Sequence, residues 1–248
     1  MNKWIATLAV GAFLTGGCKN GTDVLDTLTG KAPAPTLGVL VLVDYSGSAK
    51  EFIDEYQATC SELVRSLPPN TRLVASKISG LTEATFIPML NDTTPPELGV
   101  LTEPIEAESL KVRFNRTIDT KLDALFSGSS YSSSTDILSS LSIMKGLFPQ
   151  DSSFRQVLVI FSDMIHETRE LNLDRRKLQP SEIPDLVQKL KADGHIPHLP
   201  RSSVYVIGAY SADQEKYRTI RSFWEAVFQE VGMDLRNYGH SLTQFDWR

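Results

Sequence analysis

Cys18 and Cys60 are the only cysteines in the chain, so no disulfide framework holds it together. A protein of 248 residues is large enough to rely on its hydrophobic core instead. Basic clusters are missing too. Twenty-five Lys and Arg face 30 Asp and Glu, with no basic stretch of the kind a nucleic-acid footprint needs, so nucleic acid is not an expected partner. The apolar run Trp4–Leu14 is too short to span a bilayer comfortably. There is no phosphate-cradling glycine loop, no H-E-x-x-H pair and no Ser-His-Asp order. Ser142 and Lys145 are spaced as S-x-x-K, but inside an amphipathic helix and without the companion motifs of a penicillin-binding enzyme. His195 and His198 flank Pro197 with nothing beside them to complete a zinc ligand set.

What is present begins with a leader. Lys3, the apolar run and the small residues Gly16 and Gly17 predict a secretory signal peptide over residues 1–17. Cys18 follows directly and resembles the lipidated cysteine of bacterial lipoproteins, although Thr15 stands where that family usually has Leu. The resemblance implies an exported protein anchored to a membrane through an N-terminal lipid and facing the periplasm or cell surface. Lys19, not Asp, follows the cysteine, which points toward an outer membrane in a cell that has one. Residues 18–36 are polar, with Gly, Pro and Thr, and read as a flexible tether. Cys60 falls on the apolar stripe of a predicted helix and reads as a buried small hydrophobe.

Strand and helix patterns alternate from residue 37 onward. Leu37–Val43 (LGVLVLV) is a continuous apolar run suited to a central parallel strand. Helical spacing follows over Ala49–Leu67, ended by Pro68, Pro69 and Asn70. Strands are expected at Thr71–Ile78 and Thr85–Leu90, a loop at Asn91–Pro104, and helices at Ala107–Phe126 and Thr135–Phe148. Val157–Phe161 (VLVIF) is a second buried strand. A charged loop over His166–Pro180, a helix over Ser181–Asp193, a strand over Val204–Ala209 and a last long helix opened by Ser211 and Gln214 complete the pattern. The expected fold is α/β: a doubly wound, mostly parallel sheet with helices on both faces, in one domain over residues 37–248.

Both strong strands end on an acidic residue, Asp44 and Asp163. In open α/β sheets, sites form beyond the carboxyl ends of the strands. After Asp44 come Ser46 and Ser48 at alternate positions, with Gly47 between them to let the turn bend. Carboxylate and hydroxyl oxygens are hard ligands, suited to Mg²⁺, Mn²⁺ or Ca²⁺. The run Asp44-Tyr45-Ser46-Gly47-Ser48 resembles the D-x-S-x-S motif of von Willebrand factor A domains. Thr135 and Asp163 match, in order, the two further residues of that family's metal-ion-dependent adhesion site. The resemblance implies that Ser46, Ser48 and Thr135 contact the cation, that Asp44 and Asp163 act through bound waters, and that a protein partner supplies an acidic side chain to the open position. Met164 stands where the family often has Gly. Thr93 and Thr94 are rivals for the role of Thr135, and His166 and Glu167 are expected on the rim.

Simpler readings compete. Ser48 with Glu51 could be a capping box, Thr135 an N-cap, and Asp163 a turn residue. Three functions stay open on the sequence. The expected one is a cation-dependent, non-enzymatic protein-binding module. The others are a metal-assisted hydrolase using the same oxygens, with His166 or Glu167 as base, and a structural lipoprotein with a degenerate site.

Overall fold

Leu37–Asp44 (β1) is apolar at nearly every position and buried along its whole length. That pattern belongs to a strand in the middle of a sheet covered on both faces. In the computed structural model, Thr71–Ile78 (β2) pairs with it on one side and Arg155–Phe161 (β4) on the other, both parallel. The structure describes residues 34–78, 80, 86–97, 104–128, 132–242 and 244–247. The expected signal peptide, Cys18 and nearly all of the tether lie outside the described residues. No described helix is long and apolar enough to cross a membrane.

Three more strands complete a six-stranded sheet in the order β3-β2-β1-β4-β5-β6. Leu90–Thr93 (β3) runs antiparallel to β2, whereas Ser202–Ile207 (β5) and Met233–Gly239 (β6) continue the parallel set. The chain winds outward from β1 through β2 to β3, then returns to the other side of β1 and winds through β4 to β6. The strand order therefore reverses between β1 and β4, and in sheets of this kind the carboxyl ends at the reversal are where a ligand crevice forms. The α/β fold with a mostly parallel sheet is as expected.

Alternation along β1 distributes its side chains between two cores. Val39, Val41 and Val43 face Ile53–Ser66 (α1) and Pro104–Phe126 (α2). Leu40 and Leu42 face Ser139–Leu147 (α3), Ile183–Ala192 (α4) and Gln214–Val231 (α5). Cys60 is fully buried on α1, and burial pushes its thiol up to about 12.

Several local expectations give way. The strand expected at 85–90, whose first residue lies outside the described residues, is found at Leu90–Thr93 instead, running mostly through Asn91–Thr93, which read as loop. Its residues Asn91, Asp92 and Thr93 are polar because β3 is a sheet edge. The edge strand β6 has the same character and was not expected at all; it follows α5 directly through Gly232, held at φ 87°. The helix expected from Thr135 begins at Ser139. The N–H groups of Thr135 and Ile137 are already committed to the Glu167 carbonyl and the His166 ring. Asp213, not Ser211 with Gln214, caps α5: its carboxylate accepts from the Glu215 and Lys216 N–H groups at 2.9 and 3.2 Å.

Candidate metal centre

Asp44 is the last residue of β1 and has no solvent exposure. Its Oδ1 accepts the Ser46 N–H at 2.8 Å, and its Oδ2 accepts the Ser162 hydroxyl at 2.6 Å. One carboxylate thus ties the turn after β1 to the end of β4. The turn brings the Ser46 and Ser48 hydroxyls within 3.0 Å of each other, while Gly47 and Ser48 stay exposed. Ser48 caps nothing. The 3-10 turn Lys50–Phe52 that opens α1 has Ala49 at its N-cap and no side-chain cap bond. The capping-box reading of Ser48 and Glu51 therefore falls, and the serine pair is left facing the crevice.

A second loop closes over the crevice from the α3 side. Ser132 bridges Ser46 and donates its N–H to the Tyr45 carbonyl at 2.8 Å. Thr135 exchanges two backbone hydrogen bonds with Glu167, at 3.1 and 2.8 Å. Gly80 lets this loop settle: a Cβ there would fall 1.8 Å from Ser134 Oγ. The loop is strung between the ends of β1 and β4, and Thr135 lies on it. Thr135 is 1% exposed. It is not a helix cap, since α3 has Leu138 at its N-cap. Thr93 and Thr94 are excluded as rivals by position. Thr93 pairs with Arg72 near the start of β2, and Thr94 Oγ1 accepts from Thr71 N and donates to the Pro68 carbonyl. Both lie at the opposite end of the sheet.

Asp163 follows Ser162, and its Oδ1 accepts the Ile165 N–H at 2.9 Å. The turn reading of this residue is thus correct, and it coexists with a place in the crevice. Met164 adopts φ 67°, the left-handed conformation that favours glycine. The Ser162 hydroxyl accepts the Met164 N–H, the Trp224 indole donates to the Met164 carbonyl at 2.9 Å, and the side chain is fully buried. The loop thus keeps a backbone suited to glycine although it carries methionine.

Electrostatics mark the site. Burial, and then the neighbouring Asp163 charge, push Asp44 up to about 6, against the pull of its bonds to Ser162 and Ser46. Asp163 is also raised by burial, with the Ile165 N–H, the nearby Ser48 hydroxyl and Lys216 acting the other way. Neither carboxylate has an ion-pair partner among the described residues. Lys216 is engaged on the rim, with Nζ 2.5 Å from Asp174. Burying two negative charges side by side without a counter-charge is costly. A divalent cation would relieve that cost. The donor set of two carboxylates and three hydroxyls fits a hard cation. Among the described residues no group of three or more His, Cys, Asp and Glu could hold a metal.

The rim differs from expectation in one respect. His166 is 1% exposed and sits inside, with Nδ1 accepting the Ile137 N–H at 3.1 Å. Burial lowers its pKa to about 4, so it is neutral. Glu167 is half-buried beside Thr135 and raised by burial and by Asp174 and Asp163. Two residues of the site gave no sequence signal. Ser162 looks like any strand-end serine, and only the pairing of β1 with β4 puts it against Asp44. Tyr56 looks like core, but its hydroxyl is buried without a hydrogen-bond partner among the described residues. Both site carboxylates raise its pKa, after burial itself.

No protein-family model matches the chain. No curated protein matches it either. Solved structures do resemble it at a distance. BatB from Bacteroides thetaiotaomicron is 12% identical with a TM-score of 0.42, over 83% of this chain and 91% of that one. The pilus adhesin SpaC from Lactobacillus rhamnosus GG has the same identity and TM-score, but the match spans only 28% of the adhesin. A von Willebrand factor type A structure from Catenulispora acidiphila is 10% identical with a TM-score of 0.32, over 80% of this chain and 43% of that one. Likenesses this remote carry no weight on what the site does, which rests on the chain's own residues.

Proposed function

We propose that this chain is a divalent-cation-dependent protein-binding module of the von Willebrand factor A type, exported and anchored through a lipid on Cys18. The observation that carries the reading is the pair of buried carboxylates, Asp44 and Asp163, at the strand-order reversal, neither in an ion pair among the described residues. The Ser46–Ser48 hydroxyl pair and the buried Thr135 complete it. Mg²⁺ is the expected cation, with Mn²⁺ or Ca²⁺ as substitutes. Ser46, Ser48 and Thr135 would hold it, with Asp44 and Asp163 supplying charge. When bound, the cation supplies an electrophilic position for an acidic side chain of a protein partner.

A binding role suits the surroundings better than hydrolysis. A metal-assisted hydrolase needs a base near the reacting water. His166 is turned inward with Nδ1 occupied by a backbone N–H, which leaves Glu167 as the only candidate named for that role.

The test is a titration of Mg²⁺, Mn²⁺ and Ca²⁺ into the metal-stripped chain, following heat of binding and thermal midpoint. A cation that binds the folded state alone must raise the midpoint. Saturable binding in the wild type that is lost in Asp44→Ala supports the reading. No response from the wild type to any of the three cations sinks it.

A further inference from the structure

A row of aromatic rings leaves the core beside the serine turn and ends in solvent. Phe161 of β4 packs on Tyr56 with centroids 5.5 Å apart, and Tyr56 stacks on Phe52 at 6.2 Å and 29°. Phe52 in turn meets His240 at 5.5 Å and Tyr210 at 6.3 Å, and those two rings lie 6.2 Å apart. Phe52 follows Ser48 by four residues, Tyr210 follows β5 and His240 follows β6. All three therefore stand at the carboxyl end of the sheet, on the side that carries the candidate metal centre.

The outer rings are accessible. Tyr210 is 50% exposed, and the His240 side chain is 48% exposed. Gly208 helps set this arrangement. It holds φ +94°, and a Cβ there would fall 2.1 Å from Tyr56 Oη. The close approach lets Tyr56 support Phe52 from beneath while the chain carries Tyr210 outward. The result is an aromatic shelf whose neighbouring ring centroids lie 5.5–6.3 Å apart, with its outer rings open to a ligand.

The edge of the shelf is acidic. Glu55 Oε2 is 3.6 Å from His240 Nε2, and its side chain is 45% exposed. Glu51 is exposed on the same side of the helix start, four residues earlier. Lys50 is the only basic residue in this stretch. An aliphatic side chain laid here would desolvate the carboxylates without compensation. An ammonium group, being compact and strongly hydrated, would lose water without stacking. A planar guanidinium can lie on the rings and hydrogen-bond a carboxylate at their edge.

We propose that the Phe52–Tyr210–His240 shelf receives an arginine side chain of the protein partner, next to the acidic side chain taken at the cation site. The proposal rests on the cation reading for the second half of that pair. It makes the recognised element a short segment with one acidic residue and one nearby arginine, the arginine supplying specificity that the cation alone cannot.

A displayed peptide library tests it. Each peptide carries one fixed Asp with randomised neighbours, and a control library carries Asn instead. Selection is on the whole chain, with Mg²⁺ or with EDTA. The expected result is Mg²⁺-dependent retention of the Asp library with arginine enriched over leucine and lysine. Tyr210→Ala and Glu55→Gln change exposed side chains, and an unchanged thermal midpoint confirms their folding. Both should keep the Asp requirement and lose about three- to ten-fold of the arginine preference. Asp selection with no arginine preference, or with a preference that neither variant alters, overturns the shelf and leaves the cation reading standing. Arginine enrichment without dependence on Mg²⁺ or Asp overturns the cation reading and leaves the shelf. A library that selects neither overturns both.

Discussion

Replacing Asp44 by Asn should stabilise the metal-free protein at pH 8, although it removes a residue the function needs. Asp44 is fully buried, and its pKa rises from 3.8 unfolded to about 6 folded, through burial and then Asp163. A raised acid favours the protonated form in the fold. Its ionisation therefore costs stability progressively as pH rises from about 4 to about 6, and the full cost is present above that. Two pKa units correspond to about 3 kcal/mol. Asn keeps the acceptor for the Ser46 N–H but loses the one for the Ser162 hydroxyl, a loss of about 1 kcal/mol. The net gain at pH 8 is about 2 kcal/mol, or roughly 4–8 °C in midpoint for a domain of this size. Near pH 4 the wild-type carboxyl is protonated and the variant should be level or slightly worse. The assay is thermal unfolding of both proteins in EDTA at pH 4, 6 and 8, repeated at pH 8 in Mg²⁺. Added Mg²⁺ should raise the wild type and leave the variant unmoved. A variant less stable than wild type in EDTA at pH 8 would refute the claim that the carboxylate pair is electrostatically strained without a cation.

Three further substitutions probe the supports of the site. Tyr56→Phe removes a buried hydroxyl that has no partner among the described residues and should be neutral or stabilising by about 1 kcal/mol in urea unfolding; a clear loss would mean the hydroxyl is satisfied through water. Gly208→Ala meets both a left-handed backbone and the Tyr56 ring and should cost at least about 2 kcal/mol, so wild-type stability would show that the turn yields freely. Met164→Gly regains about 1–2 kcal/mol of backbone strain but empties a fully buried position, where losing a methionine side chain costs about 2–5 kcal/mol. A net loss is expected, and a higher midpoint would show that the side chain packs poorly.

How far the sequence reveals this protein depends on which forces set each element. β1 and β4 are legible because burial on both faces demands unbroken apolar runs, and the shorter run Val204–Ile207 marks β5 in the same way. The first turn of the site is legible for a related reason: Asp44, Ser46 and Ser48 lie in one local segment whose spacing is set by the backbone. β3 and β6 are not legible, because an edge strand is defined by its neighbour and not by its own composition. Thr135 falls between these cases. Its place depends on Ser132 reaching Tyr45, on Gly80 making room for Ser134, and on Glu167 pairing across from a segment 32 residues away. None of those contacts leaves a pattern in the string.

Met164 shows the same division most clearly. From the sequence it is a departure that casts doubt on the loop, because a glycine position is filled by a long side chain. In the fold, the left-handed backbone survives, held by the Ser162 hydroxyl on one side and the Trp224 indole on the other. Both restraints come from residues with other duties: Ser162 also donates to Asp44, and Trp224 anchors α5 to the sheet. The backbone cost of methionine is thus offset by core packing that glycine could not provide. Trp224→Phe deletes the bond to the Met164 carbonyl and keeps an aromatic ring in the core, although the smaller ring leaves part of a fully buried position unfilled. It should cost about 2–4 kcal/mol, from the lost bond and the unfilled space together, and weaken Mg²⁺ binding, because Asp163 precedes the loosened residue. Unchanged Mg²⁺ affinity at reduced stability would mean that packing alone holds the loop.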